Sequence, residues 1–96
     1  MLFLLPFGRE DIFMEEKRIS VLSIIVENRE QQAEKVNALL SEYGEYAVGR
    51  MGIPYREKGV SVLCVVLDAP STAVNALTGK LGQLNGVTAK TLFSKY

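Results

Sequence analysis

Two apolar stretches, Ile19 to Glu27 (ISVLSIIVE) and Val60 to Asp68 (VSVLCVVLD), constrain this chain more than anything else in it. Both are rich in β-branched residues and read as strands. Successive strand side chains point to opposite faces. The first stretch therefore sets Ile19, Val21, Ser23 and Ile25 on one side and Leu22, Ile24 and Val26 on the other. The second sets Val60, Val62, Cys64 and Val66 against Leu63, Val65 and Leu67. A strand with one face in water alternates apolar and polar residues. These two do not, so both of their faces need cover.

The remaining segments supply the elements around them. Asn28 reads as an N-cap with Gln31 three residues on. A helix is expected over Arg29 to Tyr43, with its apolar stripe at Ala33, Val36, Leu39, Leu40 and Tyr43 and with Gly44 as its C′ residue. A second strand is expected over Glu45 to Ile53, interrupted by Gly49 and Gly52, followed by turn chemistry from Pro54 to Gly59. Pro70-Ser71 opens a second helix carrying Val74, Leu77, Leu81 and Leu84, and Val87 to Phe93 reads as a fourth strand. Gly79 and Gly82 each cost that helix about 1 kcal/mol relative to Ala, which points to a close approach on their side.

The order βαββαβ with short connections is the α+β, ferredoxin-like plan, one antiparallel sheet of order 4-1-3-2 with both helices on one face. Its central strands are the first and third, the two that are apolar on both sides. The face away from the helices is thus expected to be covered by a second copy of the chain, in a homodimer or homotetramer, or by the N-terminal residues. The plan gathers Asn28-Arg29, the hairpin from Pro54 to Gly59, and Gly82 to Gly86 at one end of the domain.

Composition removes several function classes. The 96 residues make one domain, assigned to 19–96 behind an N-terminal extension at 1–18. Met14 before Glu15-Glu16-Lys17-Arg18 looks like the natural start, so residues 1–13 are expected to come from an upstream start codon, the competing reading being an ordered arm. They lack the basic start and cleavage site of a signal peptide. Eleven Lys plus Arg balance eleven Asp plus Glu, where nucleic-acid binders carry a basic excess. The central strands hold none of the aromatics on which RNA-recognition sheets stack bases, so no direct nucleic acid contact is expected. With no histidine and one cysteine, an internal disulfide and a Cys/His zinc site are excluded, and neither metal nor cofactor is expected. Cys64 reads as a buried small hydrophobe. No stretch reaches the roughly 20 apolar residues of a membrane span, and the cytoplasm is the default location. The acids fall on helix faces and turns, no histidine is available for proton transfer, and no catalytic residue is assigned. An acylphosphatase-like enzyme of the same topology needs a glycine-rich phosphate cradle after the first strand, where this chain has only Arg29.

The stretch Gly49-Arg50-Met51-Gly52-Ile53-Pro54-Tyr55-Arg56 carries most of the remaining information. Arg50 and Arg56 suit a carboxylate or phosphate, Tyr55 can stack, and Gly52 permits close backbone approach. Equally, the glycines can serve a bulge and hairpin while the arginines face solvent or a partner. Asn75 and Gly79, at i and i+4 on the second helix, form a further candidate contact point. The candidate ligand or interface residues are Arg50, Met51, Gly52, Pro54, Tyr55, Arg56, Asn75 and Gly79.

Gly49 to Tyr55, followed by Asn75-Ala76-Leu77-Thr78-Gly79-Lys80-Leu81-Gly82, resembles the small regulators of the iron-only hydrogenase system, over about residues 18–96. The resemblance implies an ACT-like domain, similar also to the C-terminal domain of the nickel-responsive repressor, that associates through its sheet and often binds small ligands at subunit boundaries. The chain departs from those relatives in having no histidine for nickel, and Glu27-Asn28-Arg29-Glu30 where amino-acid-binding ACT domains carry a glycine turn. The expectation is a non-catalytic, homo-oligomeric regulatory or ligand-sensing domain, with a DNA-binding partner protein if it acts on transcription. The alternative is an assembly partner that takes no ligand.

Overall fold

The computed structural model describes residues 16–27 and 29–96, with Arg29 described in its backbone alone. Strand β1 (Arg18–Glu27) leads to helix α1 (Arg29–Glu42), strand β2 (Ala47–Tyr55), strand β3 (Val60–Ala69), helix α2 (Ser71–Gly82) and strand β4 (Val87–Phe93). The four strands form one antiparallel sheet of order β2-β3-β1-β4, which is 4-1-3-2 read from the other edge. The expected ferredoxin-like plan is the one observed.

Pleating divides the central strands as their sequences require. Leu22, Ile24 and Val26 of β1 and Val65, Leu67 and Ala69 of β3 are buried beneath the helices. Val36 and Leu40 of α1, Val74, Leu77 and Leu81 of α2, and Val87 of β4 complete the core. Each buried Val, Leu or Ile side chain among them contributes about 1.5–3 kcal/mol by leaving water. Thr78 of α2 ties its helix to the sheet, sharing a hydroxyl–hydroxyl hydrogen bond of 2.7 Å with Thr91 of β4.

Several boundaries differ from expectation. Strand β2 runs to Tyr55, because Pro54 and Tyr55 continue the pairing with Ser61 and Val60. An edge strand tolerates Pro, whose missing N–H faces the unpaired side. The turn is correspondingly tighter, a single 3-10 turn at Arg56–Lys58 closed by Gly59 at φ 67°. Gly44 enters a 3-10 turn, Gly44–Tyr46, and its φ is not positive; the positive-φ glycines among the described residues are Gly59 and Gly86. A Cβ on Gly79 or Gly82 would meet nothing within 4 Å, so no close approach from the chain's own described residues accounts for these two glycines. Cys64 is half-buried on the face away from the helices, opposite Ser23 and Met51, and is not part of the core. The Asn28 cap and residues 1–15 lie outside the described residues.

Candidate functional site

Strand β2 has two characters because its side chains alternate between two settings. The register places Arg50, Gly52 and Pro54 opposite Val65, Leu63 and Ser61, residues of the helix-side face of β3. Met51, Ile53 and Tyr55 sit opposite Cys64, Val62 and Val60, on the other face. A bulge at Val48, between the Ala47–Leu67 and Gly49–Val66 pairs, sets this phase. The glycine-rich stretch therefore belongs to two surfaces at once.

The first surface is a cleft of about 230 Å³ between α1 and the β2–β3 edge. Val26, Ala33, Val36 and Leu63 give it apolar walls, while Asn37, Arg50 and Ser61 are its polar residues. Arg50 Nη2 donates to Asn37 Oδ1 at 3.0 Å, so the guanidinium is held across the cleft from strand to helix. Gly52 lies in the wall against Leu63, where a Cβ would come within 2.8 Å of Leu63 Cδ2. Glycine here lets the Leu63 methyl lie against the strand, and any larger residue would have to displace that methyl. The Ser61 hydroxyl is buried and has no hydrogen-bond partner among the described residues. The buried Gln32 Oε1 of α1 and the buried Ser20 hydroxyl of β1 are likewise without one.

At the hairpin end a broader depression of about 480 Å³ is bordered by Glu30, Gln31, Pro54, Tyr55, Arg56 and Gly59, among others. This is the end of the domain that the topology was expected to gather, and the Glu27 N–H donates there to Gly86 O at 2.7 Å. A hydrogen bond to the Glu57 side chain, with a contribution from burial, holds the Tyr55 phenol above its ordinary pKa. Its hydroxyl stays protonated.

The second surface is the open sheet face. Along it Met51 is 61% exposed, Ile53 51% and Leu92 71%, with Ile25, Tyr55 and Val62 also uncovered. Through the register, Leu92 neighbours Val21 and Val21 neighbours Val66, while Ile25 neighbours Val62 and Val62 neighbours Ile53; Cys64 joins the two rows along β3, and Ser23 and Lys90 lie between them on β1 and β4. The apolar residues thus extend across the whole width of the sheet.

The expected site residues fall into three groups. Arg50, Gly52 and Pro54 border the cleft, and Pro54, Tyr55 and Arg56 border the hairpin depression. Met51 belongs to the open face. Asn75 and Gly79 are exposed on α2 and border neither cavity. Sequence reasoning missed Asn37 and Ser61. Asn37 follows Val36 and stands four residues after Ala33, so it flanks the apolar stripe of α1, and Ser61 is the polar residue at the head of the apolar inner set of β3; both signals were there to be read.

No group of three or more His, Cys, Asp or Glu suited to holding a metal occurs among the described residues. None of their helices is long and apolar enough to cross a membrane.

The sequence model of the TM1266-like family, described as "Iron-only hydrogenase system regulator, putative", matches residues 18–91. Among solved structures, that of the uncharacterized protein TM1266 from Thermotoga maritima is similar, with a TM-score of 0.81 and 41% identity, covering 83% of this chain and 100% of that one. No curated protein matches.

Proposed function

The chain belongs to the TM1266-like family, and from that premise we propose that it is a non-catalytic regulatory domain which assembles with copies of itself and responds to a small molecule. The observation that carries this reading is the open sheet face. A contiguous apolar surface of that kind marks an interaction site, and its chemistry matches that of a second copy of the same face. Apposing two such faces, in a dimer or within a tetramer, would bury Ile25, Met51, Ile53 and Val62 together. The zero net charge leaves no overall repulsion against that association.

The regulatory role rests on the family description. Effects on gene expression would pass through a DNA-binding partner protein, since the charge balance gives the chain no basic excess. The location that fits this role is the cytoplasm. Native mass spectrometry of the purified chain at micromolar concentration tests the proposal. A homodimer or homotetramer is expected, and a clean monomer overturns it. Assembly that proceeds while no small molecule binds would leave the alternative reading, an assembly partner without a ligand.

A further inference from the structure

We propose that the cleft between α1 and the β2–β3 edge binds a small monocarboxylate with a short branched apolar body, its carboxylate on Arg50. The inference deepens the ligand-responsive part of the function proposed above and rests on it, but it is independent of which surface assembles the oligomer. Three features of the cleft select the ligand class.

Its size comes first. At about 230 Å³ it lies below the roughly 300–1,000 Å³ of pockets that hold drug-sized ligands. A few carbon atoms beyond a carboxylate fill it. Second, its charge is of one sign. Arg50 is the charged residue on its lining, and no described residue bordering it is acidic. Asn37 occupies one N–H of the guanidinium at 3.0 Å. No ion pair of Arg50 with a carboxylate occurs among the described residues, so its remaining N–H groups are available to the two oxygens of a ligand. Third, the walls are apolar. Val26, Ala33, Val36 and Leu63 would surround the body of the ligand and exclude water from it.

The same features set the limits of specificity. A phosphate dianion would bring a second charge against apolar walls with one guanidinium to meet it, and an unpaired charge in such a setting is costly. A neutral amide would leave Arg50 without its counter-charge. Arg56, which borders the separate hairpin depression, is not part of this site. At the cleft wall, Ser61, only 8% exposed, carries a hydroxyl without a partner among the described residues. It is the one further polar side chain, beside Asn37, that a ligand oxygen can engage.

The experiment uses the full chain with three probes, isovalerate, isovaleramide and inorganic phosphate, followed through backbone amide resonances. Isovalerate is expected to shift the Gly52, Ser61 and Asn37 signals saturably, while the amide and phosphate leave them in place. Arg50→Met should weaken isovalerate binding tenfold or more, with Arg50→Lys intermediate. Both substitutions are on an exposed strand, and the dispersion of the spectrum reports whether the variant is folded. Absence of saturable shifts with isovalerate, equal shifts with isovaleramide or phosphate, or unchanged affinity in folded Arg50→Met would each overturn the inference. Native mass spectrometry on the same samples reads the assembly separately. Oligomers without isovalerate binding sink the ligand class alone, and monomers that bind isovalerate sink the assembly alone.

Discussion

Ile24 and Ile25 are neighbours of one residue type on one strand, and their fates are opposite. Ile24 is fully buried beneath the two helices, while Ile25 is nearly half exposed on the other face. The same contrast separates Val65 from Val62 on β3. The difference teaches that apolar content alone does not define the core of this domain. The chain supplies cover for one face among its described residues, and the second face carries similar residues with none. The helix-side face is finished by folding, whereas the open face is left for the association proposed above.

The largest test of that contrast is a pair of substitutions. Ile24→Ala should cost about 2–5 kcal/mol in urea unfolding, because the site can collapse only in part. Ile25→Ala should cost no more than about 0.5 kcal/mol under dilute conditions, as for other surface positions. Equal losses at both positions would erase the distinction between the faces. Next, Met51→Glu combined with Ile53→Glu should lower the native mass to that of a monomer while the far-ultraviolet circular dichroism is unchanged. A mass that stays oligomeric would move the interface elsewhere.

The outer surface of the helix layer sharpens the comparison from the other side, since it is polar and meets water. Gly79, exposed there with open space around it, should accept alanine with a gain of up to about 1 kcal/mol in denaturant unfolding and no change in native mass. A loss of stability would show that something packs against that helix surface after all.

The smallest effect concerns Lys80 of α2, whose ammonium donates to Glu42 Oε2 of α1 at 3.2 Å and lies 5.2 Å from the centre of the Tyr43 ring. Hydrogen bonding to Tyr43 and then to Glu42 raises its pKa above the ordinary 10.5. A lysine raised in the folded state contributes stability that is fully present below the unfolded pKa and lost as pH rises through the folded one. An alkaline series of thermal melts should therefore show a slightly steeper decline for the unsubstituted chain than for Lys80→Met above about pH 10.4. Exposure of the pair keeps the difference small.

Much of this organisation was legible in the residues. The doubly apolar runs at Ile19–Glu27 and Val60–Asp68 pointed to central strands, and the βαββαβ order of elements gave the order of the sheet. Period-2 alternation also separates Arg50 from Met51 without any coordinates. What the sequence withheld was contact at a distance. Asn37 reaches Arg50 across thirteen positions, and only folding brings α1 over β2. The length of β2 was missed for a local reason, since Pro54 reads as a strand breaker unless its strand is known to lie at an edge. At Gly79 and Gly82 the helix cost pointed to a close approach, and the described residues of this chain do not supply it.

The bulge at Val48 and the proline at position 54 bracket β2, and together they bear on polymerisation. A free edge of nine residues is a template on which further strands can stack, the usual beginning of fibres. Here an incoming strand would lose its register at Val48 and would find no N–H at Pro54, leaving only about five residues, Gly49 to Ile53, on which to pair. Edgewise growth at β2 is blunted, while the broad face beside it has no cover among the described residues. The geometry of this edge disfavours open-ended stacking of strand on strand.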